Sequence, residues 1–276
     1  MASEAWNQAQ REERHRTMMA AVAATRRSAP IFAHVSAAVV WGIPIVGPHL
    51  DCVHLHTGGR SVARTKNGVV WHHDALGAEE LAEIGGVTVT SYARTLLDLA
   101  RTLPFASAVA AIDHGIRPRL RPDRAAVVVA EQAGLLESLA SLGRVRGVRP
   151  ARAAIEFADA RSDSAGESIS RANMHLLGFP APDLQVAFHR TDGGKDVADF
   201  DWPENNVFGE FDGYGKYVKR EFTGGRPIAE IVAAEKAREN RIRKHRSFGA
   251  RWDWPIAIRP QLLRAELLGA GLRPQL

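Results

Sequence analysis

Two short runs constrain the fold most: Ala198-Asp199-Phe200-Asp201-Trp202 and Val207-Phe208-Gly209-Glu210-Phe211-Asp212-Gly213. Each alternates acids with apolar residues, and Pro203-Glu204 lies between them. Strand side chains point to alternate faces, so Asp199 and Asp201 are expected to share one face, as are Glu210 and Asp212. Paired antiparallel, the two strands would bring both sets of carboxylates to one point. Hard divalent cations such as Mg²⁺ take oxygen ligands and keep several waters. A cation held there could activate water and offset charge on a phosphodiester. The plainer alternative is a set of solvated acids at strand ends.

Charge is distributed in blocks. Residues 117–152 hold 8 basic and 3 acidic residues, residues 156–212 hold 4 basic and 12 acidic, and residues 235–251 hold 7 basic and 2 acidic. An acidic block with basic flanks suits a metal-dependent enzyme acting on nucleic acid, although solvated faces would give the same count. Of the 36 bases 30 are arginine, whose planar fork suits phosphate. A GC-rich coding sequence would give the same bias.

Local patterns divide the chain near Arg161-Ser162-Asp163-Ser164-Ala165-Gly166, a short polar stretch with a glycine. The expected domains are 1–160 and 161–276. In the first, helices are predicted over 3–25, 34–41, 91–100, 105–116, 122–132, 134–142 and about 150–160, with strands over 50–56, 67–73 and 87–90. Ser91 is placed to cap its helix. In the second, a helix over Glu167–Leu177 precedes three strands, Leu184–Phe188, Val197–Asp201 and Val207–Phe211. A long basic helix over 228–246, a short strand at Trp252–Trp254 and a helix over 260–268 complete the pattern. Trp252 and Trp254 read as core or domain-contact residues. No repeat or low-complexity tract is present.

These C-terminal residues resemble the PD-(D/E)XK nuclease superfamily, in particular its branch related to very-short-patch repair endonucleases. Asp199-Phe200 matches that branch's Asp-hydrophobic strand, and Glu210-Phe211-Asp212-Gly213 its hydrophobic-Glu-x-Asp-Gly strand. Glu167-Ser168-x-x-Arg171 matches the helix that precedes the sheet. The resemblance covers about 161–254. It implies that Asp199 and Glu210 bind Mg²⁺ or Mn²⁺, that Asp212 is an auxiliary ligand, and that Glu167 supports the metal or orients water. The superfamily's lysine position is held by Asp212, so Lys216 is the residue expected to supply that charge. The resemblance extends to the basic helix, where Lys236, Arg238, Arg241, Arg243 and Lys244 are expected to meet phosphates, with salt-sensitive binding. Ion pairs within that helix are the alternative.

A second resemblance lies in the first half. Ser36-Ala37-Ala38-Val39-Val40-Trp41-Gly42-Ile43-Pro44 and Gly86-Val87-Thr88-Val89-Thr90-Ser91-x-Ala93-Arg94-Thr95-Leu96-Leu97-Asp98 are similar to segments of AbiEi-family antitoxin-like proteins. The family implies a DNA-binding regulator with an N-terminal winged helix; here residues 1–25 supply one helix, so that winged domain is truncated or absent. Arg94 and Asp98, four apart, read as a helix-surface pair. His54, His56, His72 and His73, with Cys52, offer zinc-ligand chemistry, but no tight spacing supports a site, and ordinary strand histidines are expected.

The single cysteine, Cys52, cannot pair within the chain, which favours a reducing compartment. No apolar run approaches the roughly 20 residues of a membrane helix, and the first twenty residues are not those of a secretory signal. The expectation is a cytoplasmic α/β protein: a PD-(D/E)XK restriction-endonuclease-like C-terminal domain with a smaller α+β N-terminal domain. It would hydrolyse DNA phosphodiesters with a divalent metal. The alternatives are an inactive antitoxin-like regulator that binds DNA or a partner such as a toxin, and a protein-binding scaffold.

Overall fold

The computed structural model describes residues 6, 9–58, 66–118, 128–143, 145–213 and 228–275. The chain is a mixed α/β protein that divides into two compact units, Met1–Ala160 and Arg161–Leu276, so the N-terminal one, expected to be the smaller, is the larger.

The N-terminal unit runs α1 (Arg11–Ala24), β1 (Ile31–Phe32), α2 (His34–Trp41), β2 (Val53–His56), β3 (Val69–His72), β4 (Leu81–Ile84), β5 (Val87–Thr90), α3 (Tyr92–Thr102), α4 (Phe105–Ile116), α5 (Gln132–Ser141) and α6 (Val148–Phe157). Its sheet has the order β3-β2-β1-β5-β4, with β2–β3 and β1–β5 parallel and the other pairs antiparallel. Gly42 ends α2 in the left-handed region at φ 72°, where glycine carries no Cβ penalty. The Ser91 hydroxyl accepts the Arg94 N–H and starts α3. Leu96, Leu97, Leu99 and Ile112 then bury the faces of α3 and α4 almost completely.

Three expectations change here. The two-residue β1 and the Leu-Ala-Glu-Ile strand β4 were not anticipated, because neither is long or β-branched enough to show a period of two. The helix expected over 122–132 falls partly outside the described residues. Its described remainder, 128–131, is not helical: Ala130 N–H donates to Gly115 O at 2.9 Å, and α5 begins at Gln132. Arg94 and Asp98 are not a surface pair, since they are 2% and 0% exposed.

The C-terminal unit runs α7 (Ala165–Leu176), β6 (Asp183–His189), β7 (Lys195–Trp202), β8 (Val207–Asp212), α8 (Ile228–Ile242), β9 (Phe248–Asp253), α9 (Trp254–Ala257) and α10 (Pro260–Gly269). The sheet order is β6-β7-β8-β9; the first three strands form an antiparallel meander and β9 lies parallel to β8. One core joins Phe200, Trp202, Phe211 and Trp252 to Met174 of α7 and Leu263 and Leu267 of α10. A smaller one joins Phe188, Ala198 and Phe208 to Ile242 of α8. The basic helix stops at Ile242, not 246. The last strand ends at Asp253, whose side chain accepts the Ile256 N–H and turns Trp254-Pro255 into a short helix. Among the described residues no helix is long and apolar enough to cross a membrane.

Candidate functional site

The first turn of α7 carries Glu167 into the C-terminal unit. Ser164 caps the helix by accepting the Glu167 N–H, and its hydroxyl donates to Glu167 Oε1 at 2.7 Å. The Asp163 N–H donates to Glu167 Oε2 at 2.9 Å. The Gln185 side-chain amide donates to Glu167 Oε2 at 2.9 Å and to Asp199 Oδ1 at 3.3 Å, so one amide bridges two carboxylates. The second Asp199 oxygen accepts the Phe211 N–H at 2.8 Å.

Asp199 reaches this position because the alternation of β7 breaks. Ala198 packs with Phe208 and Ile242, whereas Phe200 and Trp202 pack with Trp252 on the other core. Residues two apart in a regular strand share a face; here they do not. On the neighbouring strand Gln185, between the paired residues Leu184 and Val186, has φ 53°, the left-handed region. Irregularities of this kind re-aim a side chain, and they concentrate beside active sites. Asp199 and Asp201 therefore do not share a face as the alternation predicted. Asp201 is held instead by Nε and Nη2 of Arg246, each at 2.7 Å.

Burial and the nearby Asp199 push the Glu167 carboxyl up to about 7, against the hydrogen bonds from Ser164, Asp163 and Gln185. This sets a pH test. The folded chain keeps the proton to about pH 7, while a free glutamate loses it near 4.5. The unfolded state thus binds fewer protons between these values. The stabilisation from protonated Glu167 is complete below the lower value and is lost as pH rises through the upper one. Urea midpoints measured across this window should fall with pH more steeply in the wild type than in Glu167→Gln. Parallel curves would show that the carboxyl is not perturbed.

Glu210, 4% exposed, is held elsewhere. Its Oε2 accepts Arg251 Nη2 at 2.6 Å and Arg238 Nη2 at 2.8 Å. Arg238 Nη1 also stands 2.7 Å from Glu210 Oε1, off the line of a hydrogen bond. Arg251 lies opposite Glu210 in the β8–β9 register and reaches Glu235 at 2.9 Å and Asp212 at 3.5 Å. Burial opposes the Arg251 charge, but Glu210, Asp212 and Glu235 together raise its pKa. The structure thus joins Glu167 with Asp199, and Glu210 with Asp212, the second pair through Arg251. Lys216 lies outside the described residues.

The basic helix is largely occupied with its own unit. Arg241 makes a two-pronged contact with buried Asp196 at 2.7 and 2.8 Å, and Arg238 is on Glu210 and Val197 O. Arg243 pairs with Glu239 one turn earlier and stays exposed, as do Lys236 and Lys244. Gln185 and Arg251 are site residues that the sequence did not single out. A glutamine in left-handed conformation within a strand leaves no sequence signal, and Arg251 read only as part of a basic block.

In the N-terminal unit two of the four candidate histidines, His54 and His72, meet. His54 Nδ1 and His72 Nε2 are 3.0 Å apart, and the His34 ring stacks on that of His72 with centroids 3.5 Å apart. Burial, then the neighbouring imidazole charges, lowers His72 to about 3 and His54 to about 4, and lowers His34 well below its usual range. His56 bonds to Asp74 O and Gly58 N, and His73 is exposed.

The architecture defines the chain as a two-unit α/β protein with a mixed five-stranded sheet and a mixed four-stranded sheet. No family model matches it, and no solved structure matches it. Two curated proteins from strains of Mycobacterium tuberculosis, both described only as uncharacterized, are 34% identical over 142 residues, which is 51% of this chain and 48% of each relative. The chain spans about half the length of the curated relatives it matches.

Proposed function

We propose that the C-terminal unit is a PD-(D/E)XK-like domain, related to very-short-patch repair endonucleases, that hydrolyses DNA phosphodiesters with a divalent metal. The observation that carries this reading is the Glu167–Gln185–Asp199 group, with Glu167 buried and the other two half-buried, beside a break in strand alternation. The order of helix, three-stranded antiparallel meander, helix and parallel fourth strand supports it.

The donor set fits Mg²⁺ or Mn²⁺. Burial first, and the Asp199 charge second, raise Glu167 to about 7, so the two carboxylates repel, and oxygen-only donors suit hard cations. Glu167 and Asp199 would hold the ion, while Glu210 and Asp212 are engaged by Arg238 and Arg251. Such an ion lowers the pKa of a bound water and offsets charge on the phosphodiester.

The chain's own residues do the rest. Gln185 donates to both carboxylates and fixes their separation, and Phe211 N–H fixes the Asp199 rotamer. Arg238 and Arg251 share Glu210, and their guanidinium groups are suited to a phosphate. Lys216 is the further candidate for charge stabilisation. Exposed Lys236, Arg243 and Lys244 would track the DNA backbone. The N-terminal unit would be AbiEi-like. A DNA substrate implies a cytoplasmic setting.

A second reading has one specific observation behind it. Glu210 and Asp212 are both engaged by Arg251, and among the described residues no three of the proposed acids form a metal-competent group. That favours an inactive antitoxin-like regulator, which binds DNA or a partner protein such as a toxin.

The test is plasmid and oligonucleotide cleavage with Mg²⁺ or Mn²⁺, run beside gel shifts over a salt series. The wild type should cleave. Asp199→Ala should lose on the order of a hundredfold or more in rate while still shifting DNA. DNA shifts without cleavage in any metal would select the DNA-binding regulator, and the absence of both would remove the nuclease and leave only a regulator that binds a partner protein.

A further inference from the structure

We propose that the N-terminal unit carries a metal site of its own, in which His34, His54 and His72 ligate a zinc-class transition-metal dication. Among the described residues these three form the one group whose ligand atoms all lie within 4.8 Å of one another. They come from three elements: the first residue of α2, the middle of β2 and the end of β3. The parallel β2–β3 register sets His56 opposite His72 and His54 opposite Val70, so His54 and His72 are diagonal neighbours.

The spacing is close to what a metal needs. With metal–nitrogen bonds of about 2.0–2.1 Å in a tetrahedron, ligand nitrogens stand about 3.4 Å apart. His54 Nδ1 and His72 Nε2 are 3.0 Å apart, so a few tenths of an ångström separate a hydrogen-bonded pair from a ligating one. His34 would turn out of its stack on His72 to present a nitrogen. Three protein ligands leave a fourth position for water or substrate. Imidazole nitrogen selects the zinc class over Mg²⁺, so this site and the carboxylate site take different ions.

Two independent observations point at His34. Its backbone stands at φ 50°, a left-handed conformation that a non-glycine residue holds only at a cost, at a helix start where no such conformation is required. Behind it lies Asp98, fully buried, whose Oδ2 has no hydrogen-bond partner among the described residues and sits 3.8 Å from His34 Nε2. A carboxylate behind a ligating histidine fixes its ring and raises its basicity, and such partners change metal affinity by about 10–100-fold. With Nε2 turned toward Asp98, Nδ1 is the ligating atom, now 3.4 Å from Thr102 Oγ1. The proposal does not depend on the nuclease reading, because its residues lie in the other unit.

The experiment uses the tag-free full chain, stripped with chelator and titrated with Co²⁺ in excess Mg²⁺ to occupy oxygen sites. One equivalent of Co²⁺ should give a visible absorption band of low-symmetry nitrogen ligation, and Zn²⁺ should abolish it. His54→Gln and His72→Gln should each weaken binding at least tenfold, with far-UV circular dichroism unchanged. His73→Gln, an exposed neighbour, should leave it intact. A wild type without the band overturns the site whether or not the variants fold. So does a band that survives both substitutions, or one that His73→Gln removes equally. DNA cleavage plays no part in this readout, so each proposal can fail alone.

Discussion

Arg94→Met is expected to destabilise the N-terminal unit by about 3–5 kcal/mol, the range for removing one partner of a buried ion pair. Arg94 is 2% exposed and satisfies four acceptors: Asp98 Oδ1 at 3.0 Å, both Glu80 oxygens at 2.9 Å and Ala75 O at 2.8 Å. Methionine fills most of the space and none of these contacts. Among the described residues the Asp98 carboxylate would keep only Arg101 at 3.4 Å as a charged partner, because His34, 3.8 Å away, is neutral. Burial already pushes that carboxyl up to about 6 against the pull of Arg94 and Arg101. Without Arg94 its protonated form gains further, which caps the cost by letting the group go neutral. A double variant, Arg94→Met with Asp98→Leu, should recover part of the loss, since the fully buried Asp98 carboxylate is then not left uncompensated, while Glu80 and Ala75 O still lose their donor. Hydrogen exchange of the α3 amides under urea reads this unit alone. A loss below about 1 kcal/mol, the value of an exposed pair, would mean that the ion network is solvated.

That pair also shows where the sequence is mute. Spacing of four identifies Arg94 and Asp98 as neighbours on a helix, but not which side faces water. The burial comes from α3 being enclosed by α4, which follows it directly, and by α2 and α6, which lie far off in sequence on either side. The helix and strand pattern of the C-terminal unit was legible because its apolar residues repeat with clear periods and its ends carry caps, as at Ser164, or breakers, as at Gly178 and Pro180. Strand alternation even pairs Glu210 with Asp212 correctly, as both reach Arg251. The same rule misplaces Asp199, because a local break at 198–200 and the left-handed Gln185 are decided by packing on two cores and by no residue type. His34 was missed for a similar reason. It precedes an apolar helix in sequence, and only the fold carries it to β2 and β3.

Trp252→Ala should remove about 3–5 kcal/mol from the C-terminal unit, the cost of truncating a fully buried aromatic. Trp252 is 1% exposed, stacks on Phe200 with centroids 5.3 Å apart, and donates Nε1–H to Ser170 Oγ at 2.8 Å. Its ring also lies over Gly209, where a Cβ would approach within 2.8 Å, so the bare glycine and the indole fit as a pair. Alanine therefore empties a space bounded by sheet and helix. Ser170 loses one partner but keeps its bond to Gly166 O at 2.7 Å, so the hydroxyl is not orphaned and the cavity dominates the cost. Trp252→Phe should recover more than half, by volume. Exchange protection of β9 and α7 amides under denaturant measures both variants. The consequence for function is indirect and separable. Arg251, next to Trp252, holds Glu210, so a loosened β9 weakens DNA processing through geometry. Asp199→Ala should stop it with the fold intact. Equal stability in Trp252→Ala and wild type would mean that α7 and the sheet, and with them Glu167 and Asp199, are positioned by something other than this core.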